Sequence, residues 1–161
     1  LNFAAAEPAD NVASMAHRGD RAKQSFDELD SDDWYNLGLE LEEVDPEKAP
    51  DAYQQAINLD PKNADAHVNL GRLCQLRGDL KHAKQHYHRA LETTPSHQLA
   101  HYNMGTVFDE LDEIDLAVKF YRKALSVADA HYNLARIYEI RGDQLSSLRH
   151  LRQYRRLMDL D

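Results

Sequence analysis

Apolar side chains return at alternating steps of three and four along most of this chain: Trp34, Leu37, Leu41; His67, Leu70, Cys74; His101, Met104, Phe108; His131, Leu134, Tyr138. That period lays them on one face of a helix, where a strand would require strict alternation. The pattern is written four times, as DDWYNLGL from Asp32, DAHVNLGR from Asp65, LAHYNMGT from Leu99 and DAHYNLAR from Asp129, beginning 33, 34 and 30 residues apart. Self-similarity at this period predicts stacked helical units, each burying its apolar face on its neighbours. Small residues fall where two helices must nearly touch. Gly38, Gly71, Gly105 and Ala135 are expected to face Ala49, Ala83, Ala117 and Ser147, and a larger side chain there costs roughly 1–3 kcal/mol. Gly78-Asp79 and Gly142-Asp143 predict a helix end followed by a new N-cap, and Asp45-Pro46 is expected to do the same. Pro50 is expected to kink or delay the helix that follows.

In a 34-residue frame the second copy sets His67, Leu70, Gly71, Cys74, Ala83, Tyr87, Ala90 and Pro95 where the tetratricopeptide repeat (TPR) pattern has an aromatic, Leu, Gly, a large apolar residue, Ala, an aromatic, Ala and Pro. The first copy supplies Trp34, Leu37, Gly38, Leu41, Ala49, Tyr53, Ala56 and Pro61. His101, Met104, Gly105, Phe108, Ala117, Tyr121 and Ala124 follow in the third, and His131, Leu134, Ala135, Tyr138, Ser147, Leu151 and Tyr154 in the fourth. The chain therefore resembles the TPR family, which implies an all-α, right-handed α-solenoid of four helix-turn-helix repeats at about 31–63, 64–97, 98–127 and 128–161. Residues 1–30 are expected to be a partly disordered linker with a short helix over 21–29, placing Phe26 and Leu29 on the first repeat. Starting at Leu1, the sequence reads as a fragment of something longer.

One junction is short. Ala90 to His101 spans eleven positions, whereas Ala124 to His131 spans seven, about one helical turn fewer. Either the helix ends early, at Val127, or residues are missing between Val127 and Ala128. The second is favoured, because the pattern's proline is also absent there.

Composition narrows the function. The 161 residues are 42% hydrophobic and 29% charged. No apolar run approaches the ~20 residues of a membrane span and no leader opens the chain, so a soluble, cytoplasmic protein is expected. The lone Cys74 lies in a packing slot and is expected to be a buried thiol. Residues 1–60 hold 4 Lys/Arg against 15 Asp/Glu (−11) and residues 61–161 hold 15 against 13 (+2), giving the net −9. This asymmetry argues against direct nucleic-acid binding. Arg149, Arg152, Arg155 and Arg156 cluster on the last helix, which suits a solvated end or an acidic head meeting a basic tail in a neighbouring molecule. His67, His101 and His131 are expected to be structural. His82 and His86 stand at i, i+4 without a third ligand at suitable spacing, so no metal or other cofactor is expected. No phosphate loop, nucleophile elbow or Cys/His dyad appears, and no enzymatic activity is expected.

The family resemblance implies a concave groove lined by the first helix of each repeat, in which Asn36, Asn69, Asn103 and Asn133 share one slot. A carboxamide pairs with both the C=O and the N–H of a bound peptide unit. The column resembles the asparagine ladder of the O-linked N-acetylglucosamine transferase repeat domain. Tyr35, Arg72, Tyr102, Asp109, Tyr132, Arg136 and Glu139 are expected to line the same groove. The same Asn slot also suits a bridge between adjacent helices. The two-carboxylate clamp of chaperone-tail-binding TPRs is excluded, because Tyr35 and Leu39 stand where it needs Lys and Asn. The leading expectation is a scaffold that receives an extended peptide from a protein partner. Two others remain. The linker plus repeats resemble the C-terminal part of bacterial MerR-like helix-turn-helix regulators, implying a sensing or dimerising half. Leu148, Leu151, Tyr154 and Leu157, left uncovered on the terminal helix, suit self-association.

Overall fold

The computed structural model describes residues 28–159. Among them eight helices run in antiparallel pairs, with no strand: α1 Ser31–Val44, α2 Ala49–Leu59, α3 Ala64–Leu76, α4 Leu80–Thr93, α5 Gln98–Glu110, α6 Ile114–Tyr121, α7 Ala128–Ile140 and α8 Gln144–Leu157. The linker and short helix expected over 1–30 fall outside the described residues except for its last three.

Helix starts follow local chemistry. Asp30 and Asp33 form a reciprocal capping box at α1, and Asn63, Asp79 and Asp143 each accept the N–H three residues on. Gly78 and Gly142 take positive φ, 80° and 77°, and end α3 and α7 as the sequence predicts. Their counterpart after α5 is Asp112, a non-glycine residue at φ 58°.

Each of the first three pairs is closed by a tyrosine. Tyr53, Tyr87 and Tyr121 are fully buried, and a Cβ on Gly38, Gly71 or Gly105 would stand 2.5, 2.7 or 2.6 Å from the respective ring. The glycines therefore make room for tyrosine rings, not for the alanines expected. The alanines are still wholly covered: Ala49, Ala83 and Ala117 at 0% exposure. Between pairs, Ala66, Leu70 and Leu73 of α3 join the cluster of Ala49, Tyr53, Ala56 and Ile57 on α2, and the later junctions repeat the arrangement.

Three further expectations need correction. The helix of the third pair ends at Tyr121, well before Val127, and the chain runs on through turns to Val127, which precedes α7 with Val127 N–H bonded to Ala124 O at 3.0 Å. The helix of the third pair therefore ends early, and turns span the short junction. Asp45 ends α1, but Lys48, not the Asp45-Pro46 pair, precedes α2, and it makes no side-chain cap. Pro50 then sits in the first turn of α2, where its absent N–H has no helical partner to lose, so it kinks nothing. Cys74 is half-buried against Tyr87 and Met104, and burial raises its thiol pKa.

Candidate functional site: the surface of the first helices

The first helices α1, α3, α5 and α7 stand side by side, with α3 also meeting α5. Along them the four-fold repetition produces a chain of polar contacts linking one pair to the next. In the first pair, Tyr53 Oη donates to Glu42 Oε1 at 2.6 Å, Glu42 pairs with Arg72 of α3, and Asn69 Nδ2 donates back to Tyr53 Oη at 3.3 Å. In the second, Tyr87 Oη donates to Gln75 Oε1 at 2.9 Å, while the Gln75 amide donates to Thr106 Oγ1 at 3.0 Å and to Glu110. In the third, Tyr121 Oη donates to Asp109 Oδ2 at 3.3 Å and Asp109 pairs with Arg136 of α7. Burial holds the Tyr53, Tyr87 and Tyr121 phenols far above their ordinary pKa, so they remain donors at any ordinary pH.

The expected site residues divide accordingly. Asn36 is exposed on α1. Asn69 and Asn133 are half-buried, and Asn69 donates to Tyr53 of the preceding pair. Asn103 is covered, at 9% exposure. Arg72 and Arg136 shield the carboxylates beneath them: the guanidinium side chains are 37% and 41% exposed, Glu42 and Asp109 only 22% and 20%. Tyr35 and Tyr102 lie 5.9 Å from Tyr53 and Tyr121, centroid to centroid, and are half-buried. Tyr132, 5.5 Å from Tyr154, is half-exposed, and Glu139 is exposed with no ion pair among the described residues. Asp109, Asn133 and Arg136 come together with Thr106, Glu110 and Tyr121 around an open recess of about 380 Å³.

Sequence reasoning missed Glu42 and Gln75 as the acceptors in this chain. Their signal was present: each lies six residues after its ladder asparagine, as Asp109 and Glu139 do.

The histidines stack as expected but do more than fill space. His67, His101 and His131 set Nε2 against the carbonyls of Pro61, Pro95 and Leu125 at 3.1, 2.8 and 3.1 Å, tying each helix to the turn before it. His67 Nδ1 meets His86 Nδ1 at 3.1 Å, and His131 Nδ1 meets His150 Nδ1 at 2.8 Å. In the third pair Phe120 replaces the second histidine, and His101 Nδ1 is buried without a partner. His82 turns instead to Asp79, 2.6 Å away, so the i, i+4 histidines point to different partners. No group of three metal-binding side chains exists among the described residues.

This repeated helix-pair geometry matches known proteins. A profile of the TPR repeat fits residues 45–76, and one of the tetratricopeptide repeat fits residues 62–130. The chain belongs to the tetratricopeptide repeat family. Among solved structures, a crystal structure of MamA superposes with TM-score 0.71 at 18% identity, over 97% of each chain. A second MamA structure gives 0.67 at 20% identity over 91% of this chain and 87% of that one. Residues 41 to the end of MamA from Desulfovibrio magneticus RS-1 give 0.65 at 18% over 82% and 77%. At these identities the likeness establishes the right-handed all-α solenoid. No curated protein matches the sequence. As a TPR array the chain is a protein–protein interaction scaffold, and among its described residues no helix is long and apolar enough to cross a membrane.

Proposed function

We propose that this TPR array is a non-enzymatic scaffold that holds an extended segment of a protein partner against α1, α3, α5 and α7. The recess around Asp109, Asn133 and Arg136 carries the reading: a carboxylate, a carboxamide and a half-exposed guanidinium from two helices converge there on open space. An extended chain rises ~3.3 Å per residue and neighbouring helices pack roughly 10 Å apart, so about every third residue of the guest meets a new pair. Asn36 offers a free amide at one end and Tyr132 an aromatic face at the other. Asn69 serves the guest only with the bonding capacity Tyr53 leaves, and Asn103 contributes little because it is covered.

The test is selection from a phage-displayed library of unstructured peptides, followed by titration of a selected peptide against the parent, Asn133→Ala and Arg136→Ala. Each substitution should weaken binding about three- to tenfold, the span of one net hydrogen bond, with the helical circular-dichroism signal unchanged. Unaltered affinity in both variants overturns the reading.

A further inference from the structure

We propose that the C-terminal end of one molecule receives the acidic first helix pair of a second copy, so that the chains associate head to tail.

In the first three pairs the outward face of the second helix is sealed by the next pair: Tyr53, Tyr87 and Tyr121, with Ala56, Ala90 and Ala124, are all at 0% exposure. The fourth pair has Leu151 and Tyr154 in those slots, both only half-buried, and Ser147 is the sole buried residue of α8. Leu148 is 64% exposed. Leu148, Leu151 and Tyr154, with Tyr132 and Arg152, border an open cavity of about 710 Å³. The slot that holds Ala56, Ala90 and Ala124 in the sealed pairs holds Tyr154 here, packed on Tyr132.

Charge selects the guest. Helix α8 carries four arginines and no carboxylate; Arg149 and Arg152 are exposed and make no salt bridge among the described residues. Two such helices facing each other would bring eight arginines together, which excludes a symmetric dimer through this face. At the opposite end, residues 31–63 hold nine Asp/Glu against two Lys. The three slots by which α3 packs onto the pair before it, Ala66, Leu70 and Leu73, are Asp33, Leu37 and Glu40 on α1. Asp33, Glu40 and Glu43 are exposed, and beside them Leu39 and Val44 stand 42% and 78% exposed. Mixed carboxylates and aliphatics on the head thus match mixed guanidiniums and apolar surface on the tail. Because the two surfaces differ, the contact is heterologous and propagates into a ring or a filament.

Sedimentation velocity on the 161-residue chain over roughly 5–500 μM tests this at ~50 and ~500 mM salt, since screening shortens the reach of exposed charges. The mass should rise above the 18.5 kDa monomer at low salt, and dissociation should become at least about tenfold easier at high salt. Arg149→Glu/Arg152→Glu, which cancels the net charge of α8, and Glu40→Lys/Glu43→Lys, which leaves residues 31–63 with seven Asp/Glu against four Lys, should each be monomeric while keeping parental helicity. An equimolar mixture of the two should assemble again. A parent that stays monomeric at every concentration, variants that associate as the parent does, or a mixture that remains monomeric overturns the proposal.

Discussion

Three glycines and three histidines fix how closely the helices of this protein approach. Tyrosine rings fill the space that a Cβ on Gly38, Gly71 or Gly105 would occupy, so Gly105→Ala should destabilise the fold by roughly 1–3 kcal/mol in urea unfolding, as overpacked cores do. The glycine slot was legible in the sequence as a close approach, but its partner was not: periodicity places residues on a face without saying which large side chain reaches across. The histidines add a pH dependence. Nε2 of His67 must donate to the Pro61 carbonyl, leaving Nδ1 to accept from His86, an arrangement that two neutral imidazoles satisfy. Burial, reinforced by the facing ring, pushes His86 down to about 4, and burial first of all lowers His67 and His150 as well. The unfolded chain therefore binds more protons below its ordinary histidine pKa of roughly 6.5. Stability should be full above that value, fall as the pH drops from it towards about 4, and lose nothing more from His86 below. Chemical denaturation at a series of pH values would show the slope, and His86→Phe, which copies Phe120 of the third pair, should flatten it. A slope unchanged in His86→Phe would remove this pair as its source.

At the scale of the element, the third pair departs most from its siblings. Its linking turn has Asp112 and Glu113 where the second and fourth pairs have Gly78-Asp79 and Gly142-Asp143. Asp112 adopts φ 58°, a left-handed conformation that glycine reaches without the Cβ penalty, and Glu113 makes no side-chain cap. Asp112→Gly should gain about 0.5–1 kcal/mol, and Glu113→Asp about 0.5–2 kcal/mol by restoring the cap. Thermal melts of the two single variants and the double would check both, and a double variant no more stable than the parent would contradict the assignment. Helices were legible in the sequence because their caps are local. The early end of α6 at Tyr121 was not, because residues 122–127 keep a helix-compatible composition yet form turns, with Ser126 bonded to Gln98 at 3.0 Å.

Over the whole molecule, stability passes from neighbour to neighbour, since each pair is sealed by the next and no central core binds all four. The ends should therefore open first. Helices α1 and α8 bury only Gly38 and Ser147 respectively, whereas α5 buries six residues. Hydrogen exchange should show the strongest protection across α3 to α6 and the weakest in α1 and α8. Uniform protection would mean a more cooperative unit than the stack implies.

The sequence by itself determined the period, the helix pairs and most of the caps, because each depends on residues within a turn or two of one another. It also identified the face that carries Asn36, Asn69, Asn103 and Asn133. Only the tertiary structure decided what those amides meet, since Tyr53 reaches Asn69 and Glu42 reaches Arg72 from a neighbouring helix, across 16 and 30 positions of chain. Contacts of that reach depend on how far one pair rotates against the next, a quantity set by the packing of Ala, Gly and Tyr together and written in no single repeat.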